Sequence, residues 1–290
     1  MRSRFAPALG ALVTMAALLP TASLARPMPG ELRALVFDAG LPFVQKQGDT
    51  YEGLAVDVLN AIKDEAGATK LTFITADDVE DGLQAITSGR ADIACGVAFT
   101  WGRAKRVLYT LPFAIGGTRL LAPAGVEGTP ESLRGTTVGV VADSASAELI
   151  ASVVPAAKLS RFRTPADALA ALNSNTIEIL AGPSLWLAAN RGASDRRLVP
   201  TYPYGRSGMG CIVAQNNPAL LTAGNLAIVQ MMQAYVDGDA GTRQMVNRWV
   251  GPESTVKLSE DTISAFYGLM IAATAEISTT VKPPDGPVGE

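Results

Sequence analysis

Arg103 is the residue of this chain best placed to do chemistry. It follows an apolar run, Asp92 to Phe99, and a polar turn, Thr100-Trp101-Gly102. The run reads as a strand, so the turn sets Arg103 at a strand's carboxyl end, the edge at which open α/β sheets bind small ligands. A guanidinium there can grip a carboxylate or phosphate through paired hydrogen bonds. The backbone of Gly96, Ala98 and Thr100 adds N–H groups, and so does an expected helix start at Asp143-Ser144-Ala145-Ser146. Ser144 and Ser146 either add hydroxyl donors or cap their own helix.

Covalent chemistry is poorly supplied. The chain has no His, which removes the commonest general base and the commonest transition-metal ligand together. Cys95 and Cys211 lie in apolar runs, DIACGVAF and GMGCIVA, and neither has a His to activate it as a nucleophile. Asp38, Asp143 and Glu178 stand in no recognisable catalytic spacing, and Gly205, Gly208 and Gly210 do not form a dinucleotide loop. A binding protein rather than an enzyme is expected, with no cofactor and no metal.

The elements that must position Arg103 alternate along the chain. Leu32–Phe37, Lys70–Thr75, Thr137–Val141, Leu159–Phe162 and Ile177–Leu180 read as strands. Leu54–Ala66, Val79–Ser88, a segment through Val153, one opening at Thr164-Pro165 and Pro183–Asn190 read as helices. Val107–Leu121 reads as extended. Strand Cys211–Ala214 and a helix capped by Asn217-Pro218 close the unit. Such alternation predicts an α/β fold with largely parallel sheets. Beyond Trp249, Ile263, Phe266, Met270, Ala273 and Ile277 share one face of a further helix. That face either packs on the preceding unit or seeks a partner. The Pro/Gly-rich end, 282–290, is expected to be disordered.

Arg2 and Arg4, an apolar stretch Phe5–Leu19 and small residues at Ser23-Leu24-Ala25 read as a secretory signal cut after Ala25. No later segment is read as apolar enough to span a membrane, so no stable membrane insertion is expected. Losing two cations takes the formal charge from −3 to −5. The remaining cations are scattered, which argues against a nucleic-acid partner. Two Cys in an exported chain allow one disulfide or two buried thiols.

Several motifs in order, Gly89-Arg90-Ala91-Asp92, the apolar strand, Thr100-x-x-Arg103-x-x-x-Val107 and Leu111-Pro112-Phe113, resemble the signature of the family 3 periplasmic solute-binding proteins. The resemblance runs over about Glu31 to Gly251 and takes in Gly53-Leu54-Ala55-Val56-Asp57, Ser132–Val140 and Arg248-Trp249. It implies a type II periplasmic binding fold: two α/β lobes, a hinge of two crossing segments, and here an extra C-terminal helix. The lobes would comprise 26–121 with 203–251, and 122–202, followed by a helical extension at 252–281. Arg103 would clamp a ligand carboxylate. The partners would be a small anionic solute and the permease of an ABC transporter, with the protein a periplasmic monomer. The same topology lays the strands of Cys95 and Cys211 side by side, so that a disulfide is one outcome.

The chain departs from that family at the amino-acid cage. A Thr or Ser usual two residues after Gly96 is Ala98, a second hydroxyl falls on Ala145, and the acid that takes the ammonium falls near Pro183. The stacking aromatic expected around Asp78–Glu80 is absent. Asp38 sits where some members use an Asp, or else caps its loop. Trp101, Tyr51, Phe37 and Phe99 are the aromatics available to line a cleft. The general pattern also resembles substrate-binding-like orphans of cyanobacterial type, which implies a peptide or partner protein as an alternative ligand. A dehydratase-like enzyme on the same fold is a further alternative.

Overall fold

The computed structural model describes residues 30–37, 40–192 and 195–280. The expected signal segment, the 282–290 tail and Asp38 therefore lie outside the described residues. In chain order the elements are β1 (Glu31–Val36), β2 (Gln45–Gln47), β3 (Thr50–Glu52), α1 (Leu54–Glu65), β4 (Lys70–Thr75), α2 (Val79–Ser88) and β5 (Ile93–Ala98). There follow α3 (Trp101–Ala104), β6 (Val107–Tyr109), β7 (Ala114–Ala122), β8 (Thr137–Val141), α4 (Ala145–Val153), β9 (Lys158–Phe162) and α5 (Pro165–Asn173). The chain ends with β10 (Ile179–Pro183), α6 (Ser184–Ala189), β11 (Arg197–Ala214), α7 (Pro218–Asp237), α8 (Ala240–Val250) and α9 (Glu260–Thr280).

The strands join in the order β4-β1-β5-β11-β7-β10-β8-β9, with β6 paired to β11. β1, β4 and β5 are mutually parallel, as are β8, β9 and β10, whereas β7 and β11 run antiparallel to their neighbours. The two parallel sets are the cores of two α/β lobes, and β7 and β11 cross between them. Early in β11, Arg197–Val199 face Ala122–Leu120 of β7; later, Gly210–Val213 face β5. The intervening stretch, Val199 to Ser207, is irregular in register.

Burial on both faces explains why these strands read as apolar runs rather than as alternating ones. In β1, Leu32, Ala34 and Val36 enter a core with α1 and α7, while Leu35 enters a second core with Leu83 and Ile86 of α2. In the other lobe, Val138 and Val140 of β8 pack with Ile150 of α4, and Val141 packs with α5 and α6 through Leu172 and Trp186.

Helix starts follow their sequence signals. Asp78, Ser144, Thr164, Asn217 and Asp239 each accept a hydrogen bond from a backbone N–H three residues on. α1 begins differently: Leu54 and Ala55 donate to the carbonyls of Pro42 and Phe43 at 2.8 and 3.1 Å. Gly53 makes this docking feasible, because a Cβ there would lie 2.2 Å from the Phe43 oxygen. The contact seats Phe43 against the sheet.

Six elements differ from the sequence reading. The polar turn after β5 closes into the single helical turn α3, and the extended run after it splits into β6 and β7. The hairpin β2–β3 and helix α8 were not anticipated. Composition alone also underrated α7, whose mean hydropathy of 1.2 over its length suits a membrane span. It is instead a core helix, with Leu220, Ala227, Ile228, Met231, Met232 and Tyr235 buried. α9 packs on the same lobe through Ile263 and Tyr267, the latter edge-on to Tyr235 with ring centroids 5.3 Å apart.

Candidate ligand-binding cleft

Thr100 organises the turn that carries Arg103. Its hydroxyl accepts from the Arg103 N–H at 3.2 Å and so caps α3. The guanidinium then points across the molecule. Nη1 donates to the Ala98 carbonyl at 3.2 Å, and Nη2 donates to the Asp143 carbonyl at 2.9 Å. Asp143 immediately precedes the cap of α4 and has φ 54°, the left-handed region that Asp tolerates. Arg103 thus joins the strand edge of one lobe to a helix start of the other. The Ala98 carbonyl also accepts from the Tyr109 hydroxyl at 3.0 Å. Burial pushes the Tyr109 phenol above its ordinary range, and the charge of Arg103 pulls it part of the way back.

Beside this contact lie two small chambers of about 180 and 170 Å³. Leu35, Phe37, Val79, Gly96, Val97, Ser144 and Met209 line both. Phe43, Trp186 and Arg163 complete the wall of the first, and Arg103 that of the second. The ionisable side chains among these described lining residues are both cations. Gly96 has φ 81°, the left-handed region that favours glycine, and Phe43 and Ala55 pack beside it. Its glycine keeps the strand backbone next to the chamber.

The other expected residues fall in varied places. Ser144 caps α4, accepting from Ala147 and donating to Val141, while its side chain lines the chambers. Ser146 is buried and paired to Thr118 of β7 at 3.0 Å. Trp101 is 79% exposed, edge-on to Phe99. Both line a larger hollow of about 480 Å³ on the far side of Ser146, over β7 and β11. Tyr51 packs on Phe73 and lines none of these chambers. Glu178 is exposed on a separate surface hollow beside Asp195 and Arg196. Cys95 and Cys211 face each other across β5 and β11 and form a disulfide.

Sequence reasoning missed Arg163, Phe43, Val79, Trp186 and Met209. A signal for Arg163 existed. It follows strand β9 and precedes a capped helix start, the same placement as that of Arg103 after β5.

The lobes touch at further points. Asn190, at the end of α6, donates to the Leu41 carbonyl at 2.7 Å, and Leu185 of α6 packs into the core of the first lobe.

Among solved structures, an ancestral arginine-binding protein bound to arginine matches with a TM-score of 0.66 at 25% identity, covering 77% of this chain and 100% of that one. The ancestral amino acid-binding protein AncCDT-1, a precursor of cyclohexadienyl dehydratase, matches with a TM-score of 0.65 at 23% identity, over 76% and 95%. Among curated proteins, the virulence sensor protein BvgS of Bordetella pertussis is 27% identical over 223 residues, or 75% of this chain. That match takes in 17% of the sensor's own length. The family profile of the bacterial extracellular solute-binding proteins, family 3, matches residues 33–251. With its two lobes, crossing strands and arginine-edged cleft, this chain belongs to the bacterial extracellular solute-binding proteins, family 3.

Proposed function

We propose that the protein binds a small carboxylate-bearing solute with an apolar body and closes its two lobes on it. One observation carries this reading: Arg103 edges an otherwise apolar pair of chambers whose only other ionisable described lining residue is Arg163. An anion entering a low-dielectric cleft needs a cation, and an isolated ammonium there would meet no counter-charge among those residues. The guanidinium would exchange its bond to the Asp143 carbonyl for the ligand's carboxylate. Phe37, Phe43, Val79 and Trp186 would hold the apolar part. The lobes would comprise 26–121 with 203–251, and 122–202, and swing about β7 and β11.

In this reading the chain is a periplasmic monomer, exported by a signal cleaved after Ala25, that delivers its solute to the permease of an ABC transporter. It is a binder rather than an enzyme. Similarity to a sensor protein favours a second reading, in which the closed form reports a ligand to a signalling partner instead of feeding a transporter. Neighbouring genes separate the two: a permease with an ATPase supports uptake, and a signalling or peptide-modifying protein supports the other.

The binding reading is tested by a thermal-shift screen of amino acids, keto acids and apolar carboxylates on the wild type and Arg103→Ala. Apolar carboxylates should raise the melting temperature of the wild type and leave the variant unmoved. Equal shifts in both proteins would sink it.

A further inference from the structure

The cleft does not end at Arg103. The inner chamber edged by Arg103 and the hinge-side hollow share five lining residues: Ala98, Ala145, Ser146, Pro183 and Met209. Three of these, Ala98, Ala145 and Pro183, are the positions at which the sequence departs from the hydroxyls and acid of an amino-acid cage. The missing groups and the junction between the two spaces coincide. Alanine at 98 and 145 puts only methyl groups on the wall common to the two spaces.

Size points the same way. Each inner chamber, about 180 or 170 Å³, falls below the roughly 300–1,000 Å³ usual for a ligand site. The hinge-side hollow, about 480 Å³, lies within that range.

The hollow's walls carry unspent chemistry. Glu148, on α4, is exposed and lines the hollow. Trp101 lines the hollow from the other lobe, 79% exposed and edge-on to Phe99, and offers an aromatic surface to a cation or an apolar group. Gly116, Gly117 and Gly205 also line it, Gly117 packed against the backbone of Gly205. Arg206, exposed on β11, has donors for peptide carbonyls.

We propose that the ligand is a short linear peptide with an apolar C-terminal residue, spanning both spaces through the junction at Ala98 and Ala145. This rests on the reading of Arg103 as the carboxylate anchor. The C-terminal side chain fills the apolar inner chambers and its carboxylate takes Arg103. The chain then passes Ala98 and Ala145, and the N-terminal ammonium meets Glu148 under Trp101. The ammonium partner absent from the cleft is thereby supplied one chamber further on.

Calorimetric titration of leucine, Gly-Gly-Leu and N-acetyl-Gly-Gly-Leu into the wild type, Ala98→Val, Ala145→Val, Glu148→Gln and Arg103→Ala tests it. The tripeptide should bind the wild type about tenfold or more tightly than leucine, and either junction variant should erase that preference by weakening the tripeptide more than leucine. Glu148→Gln and N-acetylation should each weaken the tripeptide and not leucine. Two junction variants guard against one failing to fold, which melting curves report. The proposal is overturned if leucine binds the wild type as well as the tripeptide does, if the junction variants weaken both alike, or if no probe binds. If Arg103→Ala abolishes leucine and tripeptide equally and the wild type shows no preference for length, the anchor stands and the peptide does not. A preference for length that survives in Arg103→Ala overturns the anchor instead.

Discussion

The guanidinium of Arg103 donates a 2.9 Å hydrogen bond to the main-chain carbonyl of Asp143, which belongs to the opposite lobe. The ligand's intended anchor is thus also a tie across the cleft. Its partner is a neutral carbonyl, a weaker acceptor than a carboxylate, so an entering anion would compete on favourable terms. On the proposed function, this contact would let one residue both hold a solute and respond to closure.

Replacing Arg103 by Lys should weaken binding of a confirmed carboxylate ligand. A point charge cannot reproduce the planar grip of a guanidinium that holds the Ala98 carbonyl and an anion together. Truncation to Ala should cost about 2–5 kcal/mol, a loss of roughly thirtyfold or more in affinity. Calorimetric titration of both variants checks the order, wild type above Lys above Ala; Lys equal to wild type would contradict a fork-like grip.

Thiol counting on unfolded, unreduced protein should find no free thiol, because Cys95 and Cys211 are bridged. The bridge closes a loop across a separation of 116 residues. A Cys95→Ala, Cys211→Ala double variant should lose about 2–5 kcal/mol in denaturant titration. Two titratable thiols per wild-type chain would count against it.

Asp92 is 2% exposed and accepts from the Arg33 backbone N–H at 3.0 Å, from Nε at 2.9 Å and from Nη2 at 2.7 Å. Arg33 also donates to the Gly89 carbonyl, which ties β1 to the end of α2. Asp92→Ala removes the buried acceptor of three Arg33 donors, and because the Arg33 cation left behind is partly solvated the loss should be about 1–3 kcal/mol. The check is chemical denaturation of wild type and variant, with a change under about 1 kcal/mol standing against a structural ion pair of this kind.

Cutting the chain after Gly251 removes α9 and uncovers the surface around Tyr235. Ile263 and Tyr267 are buried there, at 4% and 2% exposure. At about 1.5–3 kcal/mol for each large apolar side chain returned to water, the melting temperature should fall by several degrees. An unchanged midpoint would favour a helix that packs elsewhere.

Local signals made much of this molecule legible from its residues alone. Ser144, Thr164 and Asn217 announced three helix starts, since a cap needs only its own next three residues. Strand runs buried on both faces marked an α/β sheet, and the order of motifs around Arg103 placed it at a strand's carboxyl edge. The cleft walls were another matter. Phe43 reaches the chamber because α1 docks on its carbonyl, Trp186 because β10 lies in the second lobe, and Met209 because β11 returns beside β5. Ser146 reads either as a hydroxyl donor or as a cap, and its pairing with Thr118, 28 residues away on another element, is legible in neither reading. Tyr267 was missed on α9 because helical period identifies a face and not which neighbour that face meets. Capping and periodicity are short-range and are written in adjacent residues. The shape and polarity of the cleft depend on which strands cross, and that was decided only when the whole sheet came together.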